Sequence, residues 1–178
     1  MYSEIIEFWF KEIQPKQWWV KDPEFDLLIS KRFSDIHFKA TRGELVTWRT
    51  SAEGRLAEVI VLDQFSRNMF RNSVKSFAYD GLALILAQEA IARGVDKELS
   101  DQQRPFLYLP FMHSESLEIH DIAMKLYKEN GSENEFNFEV KHRDIIKRFA
   151  RYPHRNEILG RVSTGEETGF LTQAGSSF

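Results

Sequence analysis

The fold class is indicated by one stretch of the sequence, DPEFDLLISKRFSDIHFKATRG (residues 22–43). Asp22 can cap a helix, and proline follows at the first helical position, where its missing N–H is not needed. The apolar residues then recur at helical spacing, and Gly43 ends the pattern. This stretch therefore predicts an amphipathic α-helix. Its apolar stripe comprises Phe25, Leu28, Ile29, Phe33 and Ile36.

Capped apolar runs of the same kind extend along the rest of the sequence, without strand-like alternation between them. We predict an all-α fold, an antiparallel array of roughly nine helices. One helix contains Pro105 and Pro110, so it is expected to be short or kinked. Besides residues 22–43, the predicted helices occupy residues 3–14, 51–71, 76–93, 101–112, 116–130 (or from 114), 134–150, 154–159 and 164–171 (or from 163).

The segment GLALILAQEAI (residues 81–91) is apolar nearly all round. A helix of this kind is typical of a position between other helices, so we predict that it lies at the centre of the fold. The helical stripes together predict a set of core residues. These are Phe8, Trp9, Phe33, Leu62, Phe65, Leu86, Phe106, Ile146 and Phe149.

Length and composition limit the kind of protein. The chain has 178 residues, with 24 Lys and Arg against 27 Asp and Glu, for a net charge of −3. This length suits a single domain, which we place at residues 1–171, followed by a flexible tail at residues 172–178. The absence of cysteine excludes a disulfide framework, a zinc–thiolate site, an iron–sulfur cluster and a cysteine nucleophile. Since no membrane span or signal peptide is visible, we expect a cytoplasmic protein without a membrane partner.

Known cofactor and metal motifs do not occur in the sequence. No phosphate-binding loop, dinucleotide-binding glycine motif or His-Glu-x-x-His motif is present, so we expect no cofactor. His113 and His120 are seven residues apart with acidic residues nearby, a set of side chains that zinc or iron could use. A helix N-terminus capped at Ser114 explains the same acidic residues electrostatically, and we predict no metal site.

Residues 141–161 carry seven basic side chains and two acidic ones. In a chain of negative net charge, this concentration indicates an electropositive face that could hold an anion. A solvated helix flank is the alternative, since Asp144 and Arg148 have the spacing of an ion pair. His142 lies on the apolar face of this predicted helix. A hydrogen bond to a main-chain carbonyl is the commonest explanation for such a histidine.

The residues His154, Arg155 and Asn156 follow a Tyr-Pro break and open a short predicted helix. Free backbone N–H groups and the helix dipole attract negative charge at such a point. An imidazole, a guanidinium and an amide are also suitable donors for phosphate or carboxylate. These three residues are therefore candidates for an anion site.

A second polar segment, LDQFSRNMFR (residues 62–71), ends the third predicted helix. Asp63, Arg67 and Arg71 are spaced by four residues and share one helix face, with the amide of Asn68 beside them. This pattern indicates a partly buried polar network. Such networks often fix helix packing without a further role.

Five motifs spread along the chain occur together: IIEFWF (5–10), LDQFSRNMFR (62–71), FLYLPFMHSE (106–115), HRDIIKRFARYPHRNEILGR (142–161) and STGEE (163–167). Together they resemble the DUF924 family, and the resemblance covers nearly the whole chain. It implies an all-helical, tetratricopeptide-like superhelical array without a readable sequence repeat, in a family of bacterial and some plant proteins of uncharacterised function. Ala150 stands where the family is expected to prefer glycine, so a backbone with positive φ would be disfavoured there.

Three functions remain open from the sequence. One is a binding module for a small anionic ligand or an acidic peptide; another is an enzyme using His113, His142 or His154 as acid or base on an anionic substrate. The third is a scaffold whose polar motifs only lock helix packing. A nucleic acid is not the expected partner, since the net charge is negative and no reader motif is present. We favour the binding module and predict one partly buried pocket, in which Glu115 balances charge when the pocket is empty. The predicted pocket residues are Arg67, Asn68, Arg71, His113, Glu115, His142, Arg143, His154, Arg155 and Asn156.

Overall fold

The computed structural model describes residues 1–176, and every regular element in that range is helical. The all-α prediction is confirmed, with eight helices in this range where the sequence predicted roughly nine. None of these helices is long and apolar enough to cross a bilayer. The tetratricopeptide-like arrangement and the single domain over residues 1–171 stay predictions. So does the flexible tail, of which residues 177–178 lie outside the described residues.

Two of the eight helices contain a π-helical turn. Helix α1 begins over Tyr2–Glu7 and continues as a π-helical turn over Phe8–Glu12. Helix α3 consists of an α-helical segment over Ala52–Ile60, a π-helical turn over Val61–Phe65 and a final turn over Ser66–Met69. The other helices are α2 (Pro23–Thr41), α4 (Asp80–Ala92), α5 (Arg104–Met112), α6 (Leu117–Asn130), α7 (Glu133–Phe149) and α8 (Gly165–Leu171).

The chain divides into two compact units. Unit 1 comprises residues 1–71 and 75–110 and contains α1 to α4. Unit 2 comprises residues 72–74 and the residues from 111 onward, and it contains α6 to α8. Short 3₁₀ turns lie at Pro15–Trp18, Val46–Thr50, Val74–Ser76, Val95–Glu98 and Pro153–Arg155.

Helix α2 begins as the sequence predicts. The Asp22 carboxylate accepts hydrogen bonds from the backbone N–H groups of Glu24 at 2.9 Å and Phe25 at 3.3 Å, which satisfies two donors at the helix start. The buried stripe differs in two positions, because Leu28 is 46% exposed and Ile36 is only half-buried. The buried face is instead made of residues spaced by four, namely Phe25, Ile29, Phe33 and His37.

The core of unit 1 is aromatic. The ring of Phe33 lies 4.9 Å from the ring of Phe8 and 5.0 Å from that of Phe65, measured between centroids. Edge-to-face and offset pairs at these distances add to the stabilisation from burial. The predicted core residues Trp9, Leu62 and Phe106 are also buried in this unit.

The predicted central position of the helix over residues 81–91 is wrong. Helix α4 buries only Ala83, Ala87 and Ala90, while Ile85 is 61% exposed and Leu86 is half-buried. The three alanines lie on one face and pack towards α3. Their small side chains allow close approach of the backbones, so the larger apolar residues are left on the remaining surface of the helix.

Unit 2 is built on the packing of α6 against α7. Its apolar cluster contains Ile145, Ile146 and Tyr152. Phe149, predicted as a core residue, is only half-buried, and its ring contacts that of Phe170 at 5.1 Å. This cluster supports the chain segment that follows α7, where the candidate site lies.

The predicted short helix over residues 154–159 is wrong. The segment forms a single 3₁₀ turn over Pro153–Arg155, followed by hydrogen-bonded turns to Gly160, whose φ is +65°. Because three residues in a 3₁₀ turn do not build up a helix dipole, the expected attraction of an anion to a helix N-terminus does not apply here. Any anion affinity of this segment must come from its side chains.

Candidate functional site

The candidate site in unit 2 is organised around the side chain of Tyr152, which is fully buried. Ala150 ends α7 with φ 56° and ψ 13°, so it adopts the left-handed conformation that we expected to be disfavoured for alanine. This turn brings the backbone N–H of Tyr152 to Glu115 Oε1 at 2.8 Å. The Tyr152 hydroxyl donates to the main-chain oxygen of Met112 at 2.5 Å. Two hydrogen bonds therefore fix this tyrosine to the last residue of α5 and to the segment that follows it.

Three histidines and one arginine surround the Tyr152 ring. The ring centroids of His120, His142 and His154 lie 6.3, 6.0 and 5.5 Å from the Tyr152 centroid. The guanidinium carbon of Arg155 lies 4.6 Å from it, which is cation–π distance. The Tyr152 ring thus gathers three sequence-predicted residues, His142, His154 and Arg155, onto one aromatic surface.

Arg155 is the buried cation of this cluster, with 6% of its surface exposed. It donates a hydrogen bond to the main-chain oxygen of His113 at 3.0 Å, which ties a fourth predicted residue to the same place. A guanidinium carries five N–H donors in a rigid planar fork that matches a carboxylate or a phosphate. The carbonyl and the Tyr152 ring hold this fork in a defined orientation.

His142 is kept neutral by its surroundings. Its Nδ1 donates to the main-chain oxygen of Phe138 at 2.7 Å, so the carbonyl bond expected from the sequence is present. Burial, helped by electrostatic repulsion from His113, His120 and Arg155, lowers the pKa of His142 to about 3. Burial is the main cause of this lowered pKa, and the neighbouring positive groups act in the same direction.

His120 and Glu139 form a buried pair that the sequence analysis missed. His120 Nδ1 lies 2.6 Å from Glu139 Oε1, and His120 Nε2 donates to the main-chain oxygen of Ser114 at 2.9 Å. Burial raises the pKa of Glu139. The sequence contains a signal for the burial of Glu139 but not for its partner, because Glu139 precedes His142 by three residues and so shares its apolar helix face.

The remaining predicted residues of unit 2 are held by partners of their own. Glu115 accepts three hydrogen bonds from Arg161 at 2.9 to 3.1 Å, and Arg143 pairs with Asp121 at 2.7 Å. Asn156 donates to the hydroxyl of Ser163 at 3.1 Å. Within residues 1–176, no cluster of three or more His, Asp or Glu side chains has the geometry of a metal site.

The three predicted residues of unit 1 are bound to aspartates of that unit. Arg67 donates two hydrogen bonds of 2.9 Å to the carboxylate of Asp80. Asn68 and Arg71 both bind the carboxylate of Asp26, at 2.8 Å for the amide and 2.5 and 2.7 Å for the guanidinium. Carboxylates of unit 1 therefore already occupy these donors.

Unit 1 also contains an open groove with a volume of about 370 Å³. Its charged side chains bond to neighbours within the groove: Lys11 donates to Glu7 at 2.9 Å, and Gln103 donates to Glu53 at 2.9 Å. The groove does not concentrate charge of one sign. The cluster around Tyr152, with a buried guanidinium and three histidine rings, is the stronger candidate.

Comparison with known proteins agrees with the resemblance seen in the motifs. A family model described as "Bacterial protein of unknown function (DUF924)" matches residues 5–175. A solved structure of a protein of unknown function from Agrobacterium tumefaciens is 43% identical in sequence. It superimposes with a TM-score of 0.91, and the match covers 96% of each chain. No match was found among curated proteins.

Proposed function

The chain belongs to the DUF924 family of bacterial proteins of unknown function, and from that premise we propose that it binds a small anion at the cluster around Tyr152. The proposed ligand carries a phosphate or a carboxylate group, either as a free metabolite or on an acidic peptide. The proposed binding residues are His113, His142, His154 and Arg155. The observation that carries this proposal is the buried guanidinium of Arg155, which lies with three histidine rings around Tyr152 and donates to the main-chain oxygen of His113.

The electrostatics of the cluster support an anionic ligand. The pKa of His142, at about 3, is lowered in part by the charge of Arg155, so this charge acts on the interior of the cluster. An anion bound there would lower the free energy of the buried guanidinium and would accept hydrogen bonds from it.

The exposure of the four proposed residues supports access from solvent. His113 and His154 are half-buried, whereas His142 and Arg155 are buried. A ligand would therefore meet the two half-buried imidazoles before it reached the guanidinium. An imidazole N–H donates a hydrogen bond, so these histidines add donors for an oxyanion.

The alternative function, acid–base catalysis by a histidine, receives less support at His142. An effective general base has a pKa near the working pH. With a pKa of about 3, His142 holds a proton too weakly to take one efficiently from a substrate near neutral pH. His113 and His154 stay candidates for that role, and a scaffold without a ligand is the third alternative.

Thermal unfolding with a panel of anions tests the proposal. Phosphate, succinate and a short glutamate-rich peptide are added to the wild type, to Arg155→Gln and to a matched control, Arg104→Gln. Arg104 is a largely buried arginine of unit 1 that also donates to main-chain oxygens, those of Asp96 and Leu99. At a ligand concentration one hundred times its dissociation constant, we expect about 2.7 kcal/mol of stabilisation in the wild type and the control. Arg155→Gln should show none.

Two outcomes would contradict the proposal. One is a wild-type protein that no anion of the panel stabilises. The other is an Arg155→Gln variant that is stabilised as strongly as the wild type, since the guanidinium would then have no part in binding. Loss of stability in Arg155→Gln without any ligand effect in the wild type would favour the scaffold.

A further inference from the structure

The buried pair of Glu139 and His120 has a hydrogen-bond geometry that fixes its protons. Both side chains are fully buried. His120 Nε2 lies 2.9 Å from the main-chain oxygen of Ser114, and a carbonyl oxygen only accepts hydrogen bonds. His120 Nε2 must therefore carry a hydrogen, which assigns the tautomer of the neutral ring.

The second ring nitrogen faces the carboxyl group. His120 Nδ1 lies 2.6 Å from Glu139 Oε1. If the ring were neutral and Glu139 ionised, a nitrogen lone pair would face a negatively charged oxygen at this distance with no hydrogen between them. One more proton is needed, either on Nδ1 as an imidazolium or on Oε1 as a carboxylic acid.

The Tyr152 hydroxyl does not supply that proton. It lies 3.2 Å from His120 Nε2, but it donates its hydrogen to the main-chain oxygen of Met112 at 2.5 Å. It can accept from Nε2, which is consistent with the hydrogen already assigned there. The additional proton therefore belongs to the pair itself.

We propose that Glu139 and His120 hold one shared proton in the folded protein, and that this proton keeps the anion site positive. Glu139 is then a positioning residue of that site, acting through His120 and Tyr152. The second half of this proposal rests on the proposed function, because it concerns the effect of the shared proton on a bound anion. With the shared proton the pair is neutral overall and does not offset the charge of Arg155.

The second carboxyl oxygen supports the protonated state. Glu139 Oε2 is buried and has no hydrogen-bond partner within residues 1–176. An ionised carboxylate would place negative charge on this oxygen without a donor, which is strongly unfavourable in a buried position. Burial correspondingly raises the pKa of Glu139. A neutral carboxylic acid tolerates the unpartnered oxygen far better.

Other charged and titratable groups face the pair from each packed element. Arg143, on the same helix, acts electrostatically on Glu139. Since these groups also change charge or contribute charge near the anion, a test of the shared proton has to compare two proteins that keep all of them. The groups are His113 and Glu115 before α6, His142 and Arg143 on α7, and Tyr152, His154 and Arg155 after α7.

Proton NMR of the wild type, labelled with ¹⁵N in its histidine rings, tests the first half of the proposal without any substitution. A proton in a short bond between His120 Nδ1 and Glu139 should resonate far downfield of an ordinary imidazole N–H and should be coupled to the ring nitrogen of His120. This signal should vanish in Glu139→Gln. Its absence from the wild type at neutral pH would overturn the shared proton.

The pH profile of anion binding tests the second half, with phosphate and succinate as probes. The carboxylates of succinate stay ionised from neutral to alkaline pH. At alkaline pH the Glu139–His120 pair of the wild type loses its proton and becomes negative, whereas the pair in Glu139→Gln stays neutral. The wild type should then bind succinate about tenfold more weakly than Glu139→Gln. This factor is the expected effect of one unit charge across a partly buried site. Identical profiles for the two proteins would overturn the link between the proton and the site. If the wild type binds neither probe, the proposed function fails, while the downfield signal still decides whether the proton is present.

Discussion

Arg155 lies over the face of Tyr152, with its guanidinium carbon 4.6 Å from the ring centroid, in a position where both side chains are almost completely removed from solvent. The tyrosine is itself fixed by its hydroxyl, which donates to the main-chain oxygen of Met112. The orientation of the buried cation therefore depends on a ring that the C-terminal end of α5 holds in place. This dependence leads to the first prediction.

We expect Tyr152→Phe to lower the free energy of unfolding by about 1–3 kcal/mol, because the buried carbonyl of Met112 loses its donor. Urea denaturation measures this difference. Tyr79→Phe is the matched control: this tyrosine is half-buried in unit 1, and its hydroxyl makes no hydrogen bond within residues 1–176. The control should change stability by less than about 0.5 kcal/mol. Equal losses in the two variants would show that the Tyr152 hydroxyl does not anchor the ring.

Ala150→Gly should stabilise the protein by about 0.5–1 kcal/mol. Ala150 adopts φ 56°, where an L-residue is strained by about 1–2 kcal/mol and glycine is not. The greater chain entropy of glycine in the unfolded state cancels part of this gain. Ala92→Gly, at an exposed position in α4, serves as the control and should be destabilising. A loss of stability in Ala150→Gly, measured by urea denaturation, would contradict the strain at this position.

The ion pair between Arg151 and Glu167 predicts a pH-dependent stability. Glu167 accepts two hydrogen bonds from Arg151, at 2.6 and 2.7 Å, and this guanidinium lowers the pKa of Glu167 to about 2. Because the pKa of Glu167 is lower in the folded state, its ionised form stabilises the protein at pH values above the unfolded-state pKa, which is near 4.5. This stabilisation is lost as the pH falls towards 2. Glu167→Gln should therefore be less stable than the wild type at neutral pH. The difference in urea midpoint should shrink between about pH 4.5 and pH 2; a constant difference would contradict the ion pair.

In unit 1, Arg71→Gln should lower the free energy of unfolding by about 1–3 kcal/mol. Arg71 donates two hydrogen bonds to Asp26, whose carboxylate is only 14% exposed, so the substitution leaves a largely buried charge with weaker partners. Arg42→Gln is the control, because the exposed pair of Arg42 and Glu44 is expected to contribute at most about 1 kcal/mol. Chemical denaturation measures the free energy of unfolding of both variants relative to the wild type. A loss for Arg71→Gln as small as that of the control would contradict the structural role of this pair.

Local patterns in the sequence predicted local structure well. Asp22 caps α2 as predicted, and the carbonyl bond of His142 follows from its place on an apolar helix face. The pattern failed for α4, because a helix that is apolar all round does not show which face packs, and here the alanines pack. In the candidate site, His142, His154 and Arg155 were predicted to lie together, and the Tyr152 ring is what joins them.

Partners distant in sequence could not be predicted from local spacing. Asp26 binds Arg71 from 45 residues away, and Glu139 binds His120 from 19 residues away. These pairs form only when two helices pack, and helical periodicity contains no information about which helix lies opposite. The convergence of all ten predicted residues on one pocket stays a prediction, since Arg67, Asn68 and Arg71 belong to unit 1 and the other seven to unit 2.

The most direct test of the anion site is an NMR titration of the histidine ring signals with phosphate and with succinate. The five histidines provide their own control, because His37 belongs to unit 1, where its Nε2 lies 2.8 Å from the hydroxyl oxygen of Ser66. We expect saturable shifts in the ring signals of His113, His142 and His154, with a common dissociation constant, and no shift at His37. The absence of a saturable shift at these three histidines, or shifts of equal size at His37, would contradict an anion site around Tyr152.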